Sequence, residues 1–351
     1  MIIKKLIKKN PFMFNETDKY KIFKNYINFL TKHHYKNCIE YKKIIKNINF
    51  QINEKNELED YPMLPVRLFK EFILKSIPTK RIFKKLISSG TSGGEPSKIY
   101  LDKLNSNNQI KVLNNIMKTL LGNERIPMLI IDKNPQLNNN QNINARMAAI
   151  NGFSIFGKNH CYVLDDSGKI DKKKITLFLS KYGLSSFFIF GFTSIIYESL
   201  ILNNKKKYDL KNGILLHGGG WKKLEKIKIN NDLYKQKLYE KCNLKNIFNY
   251  YGMIEQTGSI FIECKCGYFI TSIFSKIFIR DKNFNILKAN KKGLVQLISL
   301  LPTSYPGHNI LTEDIGEIID RDKCKCNYEG TRFLIHGRAK KAEIRGCSDA
   351  R

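Results

Sequence analysis

Residues 88–98 read SSGTSGGEPSK, and their types suit the grip of a polyphosphate. Gly90, Gly93 and Gly94 let backbone N–H groups converge on an anion with no Cβ in the way. Ser88, Ser89, Thr91 and Ser92 add hydroxyls, and Lys98 closes the run with a positive charge. No G-x-x-x-x-G-K-[ST] register fits, and Ile99, Tyr100 and Leu101 read as a strand where a Walker loop would open a helix. With the apolar run 82–87 before it, the segment is predicted to be a loop between two strands. Taken alone, a solvated Gly/Ser turn would account for the same residues. The motifs downstream argue for a ligand.

His217, Gly218, Gly219, Gly220 and Trp221 follow an apolar run at 214–216, and the carboxyl end of such a strand commonly borders a ligand crevice. Glycines there would let a flat base lie against backbone. About thirty residues on, Asn249, Tyr250, Tyr251, Gly252 and Glu255 put aromatics, a glycine and a carboxylate in close order. An aromatic can stack on adenine, and Glu255 could hold a Mg²⁺ that bridges phosphates. Asp314 suits ribose hydroxyls, and Arg338, after Gly337, suits phosphate or ribose.

Of the eight cysteines, four form C-x-C pairs, Cys264 with Cys266 and Cys324 with Cys326. Thiolates from two loops could complete a closed tetrahedral zinc site, and chance spacing fits equally well because C-x-C is tighter than the usual C-x-x-C. Cys347 lies between Gly346 and Ser348, near Arg345 and Lys341, whose charges favour a thiolate. A buried small hydrophobe is the plainer reading of a single cysteine. Glu263 reads as a surface residue, Trp221 as either a pocket border or a core residue, and His33 and His34 as scaffold. His217 would satisfy a backbone carbonyl, and His308 and His336 have no assigned task.

The elements that must position these groups follow from periodicity. Apolar residues at Ile22, Phe23, Tyr26, Ile27 and Leu30 give an amphipathic helical region over 18–48. Strands are predicted at 128–131, 161–164, 186–190 and 213–217, with helices at 172–182 and 194–202. That alternation implies an α/β fold with helices covering a sheet. Beyond Ile260 the pattern turns to short strands. The expected organisation is one domain over 1–351, with a helical N-terminal region over about 1–60 and a smaller β-rich subregion from about 260 that ends in the Cys347 tail.

A length of 351 residues with 42% hydrophobic content excludes a disordered chain and supports a sizeable core. The net charge of +30 invites a nucleic-acid reading. Yet the lysines are spread from end to end among Asn and Ile, with no basic stripe interleaved with aromatics, so a solvated surface is expected and no specific nucleic-acid partner. The longest apolar stretch, 185–196, is too short and interrupted to span a bilayer, and no secretory leader is evident; a cytoplasmic location is expected.

Taken in order, these motifs resemble those of adenylate-forming enzymes, the superfamily of acyl-CoA synthetases, peptide-synthetase adenylation domains and luciferases. With LPVRLFKEFILKSIP, HGGGWKKLE, YYGMIEQTGSIF, LLPTSYPGH, LTEDIG and AEIRGCSD, the chain is similar to the acyl-protein synthetase (LuxE) family over nearly its whole length. The resemblance implies the large N-terminal domain of that superfamily, with helix-covered β-sheets and a smaller β-rich subregion. The usual C-terminal lid domain is expected to be lacking, since the sequence ends at Arg351. Ala339, Lys340 and Lys341 stand where the hinge aspartate usually follows the G-R pair, and Asn309, Ile310 and Leu311 supply no basic residue before the ribose aspartate.

The resemblance also implies the roles. The Ser88 to Lys98 loop takes departing pyrophosphate, Gly218, Gly219, Gly220 and the Asn249 to Glu255 motif hold adenine and Mg²⁺, Asp314 holds ribose, and the acyl group comes to rest on Cys347. The implied reaction is ATP-dependent activation of a carboxylic acid, expected to be fatty, to an acyl-adenylate and then a protein thioester. A reductase subunit or carrier is the implied acceptor partner. The alternatives are a CoA ligase or an acid-activating enzyme for surface-polysaccharide decoration, and a noncatalytic basic binding protein. Segments 145–156 and 187–193, rich in Phe and Ile, are expected to wall an apolar acid pocket or to form core.

Overall fold

The structure, a computed structural model, describes residues 2–88, 95–134, 145–204 and 206–339. They divide into two compact units, one of residues 2–116 and 252–339 and the other of residues 117–251. Among the described residues, fourteen strands run in chain order: β1 (Leu64–Pro65), β2 (Lys84–Ile87), β3 (Lys98–Leu101), β4 (Ile126–Lys133), β5 (Gly157–Leu164), β6 (Phe187–Phe192), β7 (Gly213–Gly218), β8 (Asn246–Tyr251), β9 (Phe261–Glu263), β10 (Phe269–Ile270), β11 (Ser275–Arg280), β12 (Gly293–Ser299), β13 (Asn309–Ile319) and β14 (Arg332–Arg338).

The 117–251 unit is a parallel sheet in the order β5-β4-β6-β7-β8. All six residues of β6 are buried, as a strand covered on both faces requires, which is why FFIFGF reads as an unbroken apolar run. The connecting helices Ala145–Ser154, Lys172–Tyr182 and Asn231–Cys242 are those of a strand and helix alternation. Asp171 caps the second by accepting from the amides of Lys173 and Lys174. Between β6 and β7, Thr193–Ile196 is α-helical and passes into a π-helical turn, Tyr197–Leu202.

The other unit is antiparallel, in the order β11-β12-β13-β14-β10-β9, with β1 added in parallel beside β13. The hairpin β2–β3 stands as its own two-stranded sheet. The helical N-terminal region holds a short helix, Ile2–Leu6, and two longer ones, Glu16–Asn37 and Ile39–Asn47, separated at Cys38, whose backbone is extended. Phe23, Ile27 and Leu30 of the predicted face are fully buried, while Ile22 and Tyr26 sit at its margin. His34 Nε2 donates to the Pro302 carbonyl at 3.1 Å and its Nδ1 accepts from Ser76 Oγ at 2.7 Å, so it is scaffold as expected.

Candidate functional site

In the 117–251 unit the glycine turn begins at the carboxyl end of β7. The β7–β8 register pairs Gly218 with Tyr250, and an added Cβ at Gly218 would fall 2.5 Å from a carbon of the Tyr250 ring. Glycine is therefore required there so that the ring can lie against the strand. The Tyr250 ring also meets Phe153, 5.0 Å between centroids, and Phe190, 6.2 Å, while Phe153 and Phe190 stack at 4.6 Å. The aromatic residues expected around an acid pocket thus form a packed cluster with one of the two adenine-motif tyrosines. Side chains alternate along β8, so Tyr251 projects from the opposite face of the strand.

Thr193 ties the next strands together. Its hydroxyl donates to the Gly218 carbonyl at 3.1 Å and must then accept from His217 Nδ1 at 2.9 Å. This leaves His217 neutral with the proton on Nδ1, and burial pushes its pKa down to about 3, with Lys235 adding to the shift. The expected backbone-carbonyl partner of His217 is replaced by this hydroxyl. Trp221 is 8% exposed and meets Tyr197 and Tyr234 edge-on at 4.9 and 5.9 Å, which makes it core.

In the other unit, β2 and β3 flank the glycine-rich loop as predicted. Its base is closed twice, by the Ser88 amide donating to the Ser97 carbonyl at 3.0 Å and the Ser97 amide donating to Ser88 Oγ at 2.8 Å. Ser89, Gly90, Thr91, Ser92, Gly93 and Gly94 lie outside the described residues. Lys98 Nζ pairs with Glu95 at 2.7 Å, and that carboxylate raises the lysine pKa. Glu255 sits in a short 3-10 turn, Ile254–Gln256, and is 5% exposed. Tyr305 donates to its carbonyl at 2.9 Å, and Gln256 donates to the Leu297 and Gly307 carbonyls, which holds the turn rigidly.

Burial raises the Glu255 pKa, while a hydrogen bond from Ser97 and the charges of Arg338 and Lys70 oppose the rise. In the residues that follow it, Gln256 Oε1 and Ser259 Oγ are buried without hydrogen-bond partners. Buried oxygens in this state call for water or an ion. An oxygen-rich setting with a desolvated carboxylate suits a hard divalent cation, so these residues fit Mg²⁺.

Asp314 and Arg338 face each other as Cα partners at the end of the β13–β14 ladder, with Arg338 Nε 3.7 Å from the Asp314 carboxylate and Nη1 3.9 Å from Glu313. A register shift between Ile315 and Gly316 bends the ladder beside this pair, and Gly337 takes φ +132°, a conformation open to glycine. Thr312 Oγ1 accepts from the Asp314 amide at 3.1 Å and donates to the Val295 carbonyl at 2.9 Å. The Thr-Glu-Asp order thereby fixes the backbone that presents Asp314. Within this unit, then, the fold links Ser97, Glu255 and Arg338, and through Arg338 reaches Asp314. The Ser97 hydrogen bond to Glu255 and the Lys70 charge acting on that carboxylate were not foreseen, because only the fold brings these segments to bear on Glu255.

Glu263, expected at the surface, is 2% exposed in β9, a correction that follows from the strand's burial on both sides. His308 contacts Thr31 and Tyr41, and His336 pairs with Glu317 at 2.9 Å. Cys347 lies outside the described residues.

The family model for acyl-protein synthetase, LuxE, matches residues 2–351. The chain belongs to this family. No curated protein matches the sequence significantly. Among solved structures, an open conformation of 2-hydroxyisobutyryl-CoA ligase in complex with 2-HIB-AMP and CoA is similar at TM-score 0.70 and 12% identity, over 93% of this chain and 71% of that one. A luciferase-like enzyme from the nonluminescent mealworm Zophobas morio is similar at TM-score 0.50 and 18% identity, over 76% and 60%. ATP-bound MatB from Rhodopseudomonas palustris follows at TM-score 0.50 and 13% identity, over 75% and 49%. Likeness at these identities is likeness of fold, and the fold is that of the N-terminal domain of adenylate-forming enzymes. For a LuxE-family chain the supported chemistry is ATP-dependent acid ligation through an acyl-adenylate. Among the described residues, no helix is long and apolar enough to cross a membrane.

Proposed function

We propose that the protein joins a fatty acid to ATP and then to its own Cys347, as an acyl-protein synthetase. The acid carboxylate attacks the α-phosphorus, the bond to the β-phosphate oxygen breaks, and pyrophosphate leaves. The Cys347 thiolate then attacks the acyl carbonyl, forming a thioester and releasing AMP. The observation that carries this reading is the linked set Ser97, Glu255, Arg338 and Asp314 at the base of the glycine-rich loop, in a chain whose family model spans the whole sequence.

Both reactants are anions, so charge stabilisation is the main task. Loop amides, hydroxyls and Lys98 would receive the leaving pyrophosphate, with Lys98 exchanging Glu95 for phosphate oxygens. Asp314 would accept from the ribose hydroxyls while Arg338 balances its charge and that of Glu255. Tyr251 is assigned the adenine face, because Tyr250 is committed to Gly218, Phe153 and Phe190. Glu255 would hold Mg²⁺, which when bound spreads the charge of the phosphates. Cys347, flanked by Gly346 and cationic Arg345, has the local charge that favours a thiolate.

A cytoplasmic setting and onward transfer to a reductase subunit or carrier complete the proposal. The test is acid-dependent exchange of labelled pyrophosphate into ATP over acids of increasing chain length, followed by covalent labelling with ATP and radioactive acid. Exchange with long-chain acids, and label that persists on the native chain but is lost in Cys347→Ser while exchange continues, are the expected results. Silence across all acids would overturn acid activation. Label retained by Cys347→Ser, or soluble acyl-CoA as the sole product with CoA present, would overturn the acyl-protein step.

A further inference from the structure

A cluster of sulfurs lies in the antiparallel unit apart from the groups just described. Cys264 follows β9 in the turn to β10, a turn closed by the Gly267 amide to the Cys264 carbonyl at 2.9 Å and the Cys264 amide to the Tyr268 carbonyl at 2.8 Å. Cys324 ends the short turn Arg321–Lys323, which precedes β14. The sulfurs of Cys264, Cys266 and Cys324 all lie within 4.8 Å of one another. Cys264 and Cys324, sixty residues apart and buried, have sulfurs 3.6 Å apart, and Cys324 and Cys326 have theirs 3.1 Å apart. All four are free thiols. A zinc tetrathiolate with bonds of about 2.3 Å has sulfur–sulfur edges of roughly 3.8 Å, whereas a disulfide needs about 2.05 Å. The sulfurs of Cys264, Cys266 and Cys324 are therefore grouped closely enough to ligate one ion, and Cys326, next to Cys324, offers a fourth thiolate.

Arg332 supplies an independent observation. It is 3% exposed, and its guanidinium donates to the carbonyls of Gly330 and Tyr328, with Nη2 3.8 Å from Cys326 Sγ. Its Nε is buried with no acceptor, and among the described residues no carboxylate pairs with it. A buried guanidinium beside neutral thiols lacks the counter-charge that burial demands. A tetrathiolate carrying a divalent cation has a net charge of −2 and provides it.

We propose that Cys264, Cys266, Cys324 and Cys326 bind one Zn²⁺ as a closed structural site, with Arg332 as the cation that offsets its charge. Binding forms four Zn–S bonds and releases the four thiol protons to solvent. With no open coordination position the metal does no chemistry. It staples the β9–β10 turn to the segment entering β14, the strand that ends at Gly337 and Arg338.

The full chain, expressed in zinc-supplemented medium and purified under reducing conditions without chelator, should carry about one zinc by elemental analysis. After metal removal, Co²⁺ should restore the absorption of tetrahedral cobalt thiolate. Cys266→Ser/Cys326→Ser should lose the metal, and Arg332→Gln should weaken zinc binding about 10- to 100-fold as an outer-shell residue does, with partial recovery in Arg332→Lys. Metal-free wild-type protein showing no Co²⁺ thiolate band, iron in place of zinc, or a Cys264–Cys324 disulfide without metal would overturn the proposal. So would full zinc content in Cys264→Ser/Cys324→Ser. The wild-type measurements do not depend on the variants folding, and none of these readouts depends on ligase activity.

Discussion

The two units secure their candidate nucleotide residues by opposite means. In the parallel unit, shape does it: Gly218, Tyr250, Phe153 and Phe190 interlock, beside a hydrogen bond between His217 Nδ1 and Thr193 Oγ1. In the antiparallel unit, charge does it: Glu255 is buried, the oxygens Gln256 Oε1 and Ser259 Oγ that follow it in the chain lack partners, and Asp314 and Glu313 share the Arg338 guanidinium. A shape-defined region is complete before a ligand arrives, whereas a buried charge is incomplete until a counter-ion offsets its desolvation. The first should respond to substitution mainly in stability and the second mainly in activity.

The largest expected effect tests the charged region. Glu255→Gln should lower acid-dependent pyrophosphate exchange about 100- to 1,000-fold, the scale of one lost charge-stabilising group. The same change should make the unliganded protein more heat-resistant at neutral pH. Glu255 has its folded pKa raised above the ordinary 4.5 by burial, so its protonated form favours folding, and stability is lost as pH rises from 4.5 through the folded value. Melting curves at acid and neutral pH, with exchange measured in parallel, check both halves. A variant that is both less active and less stable would erase the contrast between the units.

Next comes the shape-defined region. Gly218→Ala should cost about 1–3 kcal/mol by overpacking against the Tyr250 ring. Most of that cost should vanish in a Tyr250→Ala background, which denaturant titration of the double-mutant cycle would reveal. Additive costs would mean that the close approach is not the cause. A smaller effect belongs to Arg338→Gln, which should raise the KM for ATP about tenfold, the equivalent of one charge-assisted hydrogen bond, with little change in melting temperature. A large loss of stability without a KM change would place Arg338 in the shape-defined class.

A further effect is one the two units should share. His217 and His308 are both held neutral by burial, with pKa values pushed down from 6.5 to about 3. A base with a lowered folded pKa contributes stability that is present above 6.5 and lost as pH falls toward 3. Stability should therefore decline through that window, and His308→Gln should flatten the decline relative to wild type. An unchanged acid profile in this variant would remove His308 from the explanation.

What could be read without coordinates follows from local physics. Strand β6 announced itself because a strand covered on both faces must be apolar throughout, and the helix Lys172–Tyr182 showed its 3.6-residue period. The two strands around the 88–98 loop were legible from the apolar runs flanking a glycine cluster. The helices Lys103–Leu121 and Asn231–Cys242 escaped notice, because Asn- and Lys-rich turns obscure their apolar stripe. Glu263 was misjudged because burial of a charged residue is a tertiary event that composition does not signal.

Sequence by itself determined the order of motifs, the α/β class and the residue types that chemistry on a nucleotide would need, since these depend on side-chain identity and short-range period. Only the tertiary structure decided that Tyr250 is a packing residue set against Gly218, that Ser97 hydrogen-bonds Glu255, and that sulfurs sixty residues apart come within 3.6 Å. Strand register and burial arise from contacts between segments distant in the chain, and such contacts leave no trace in the spacing of neighbours.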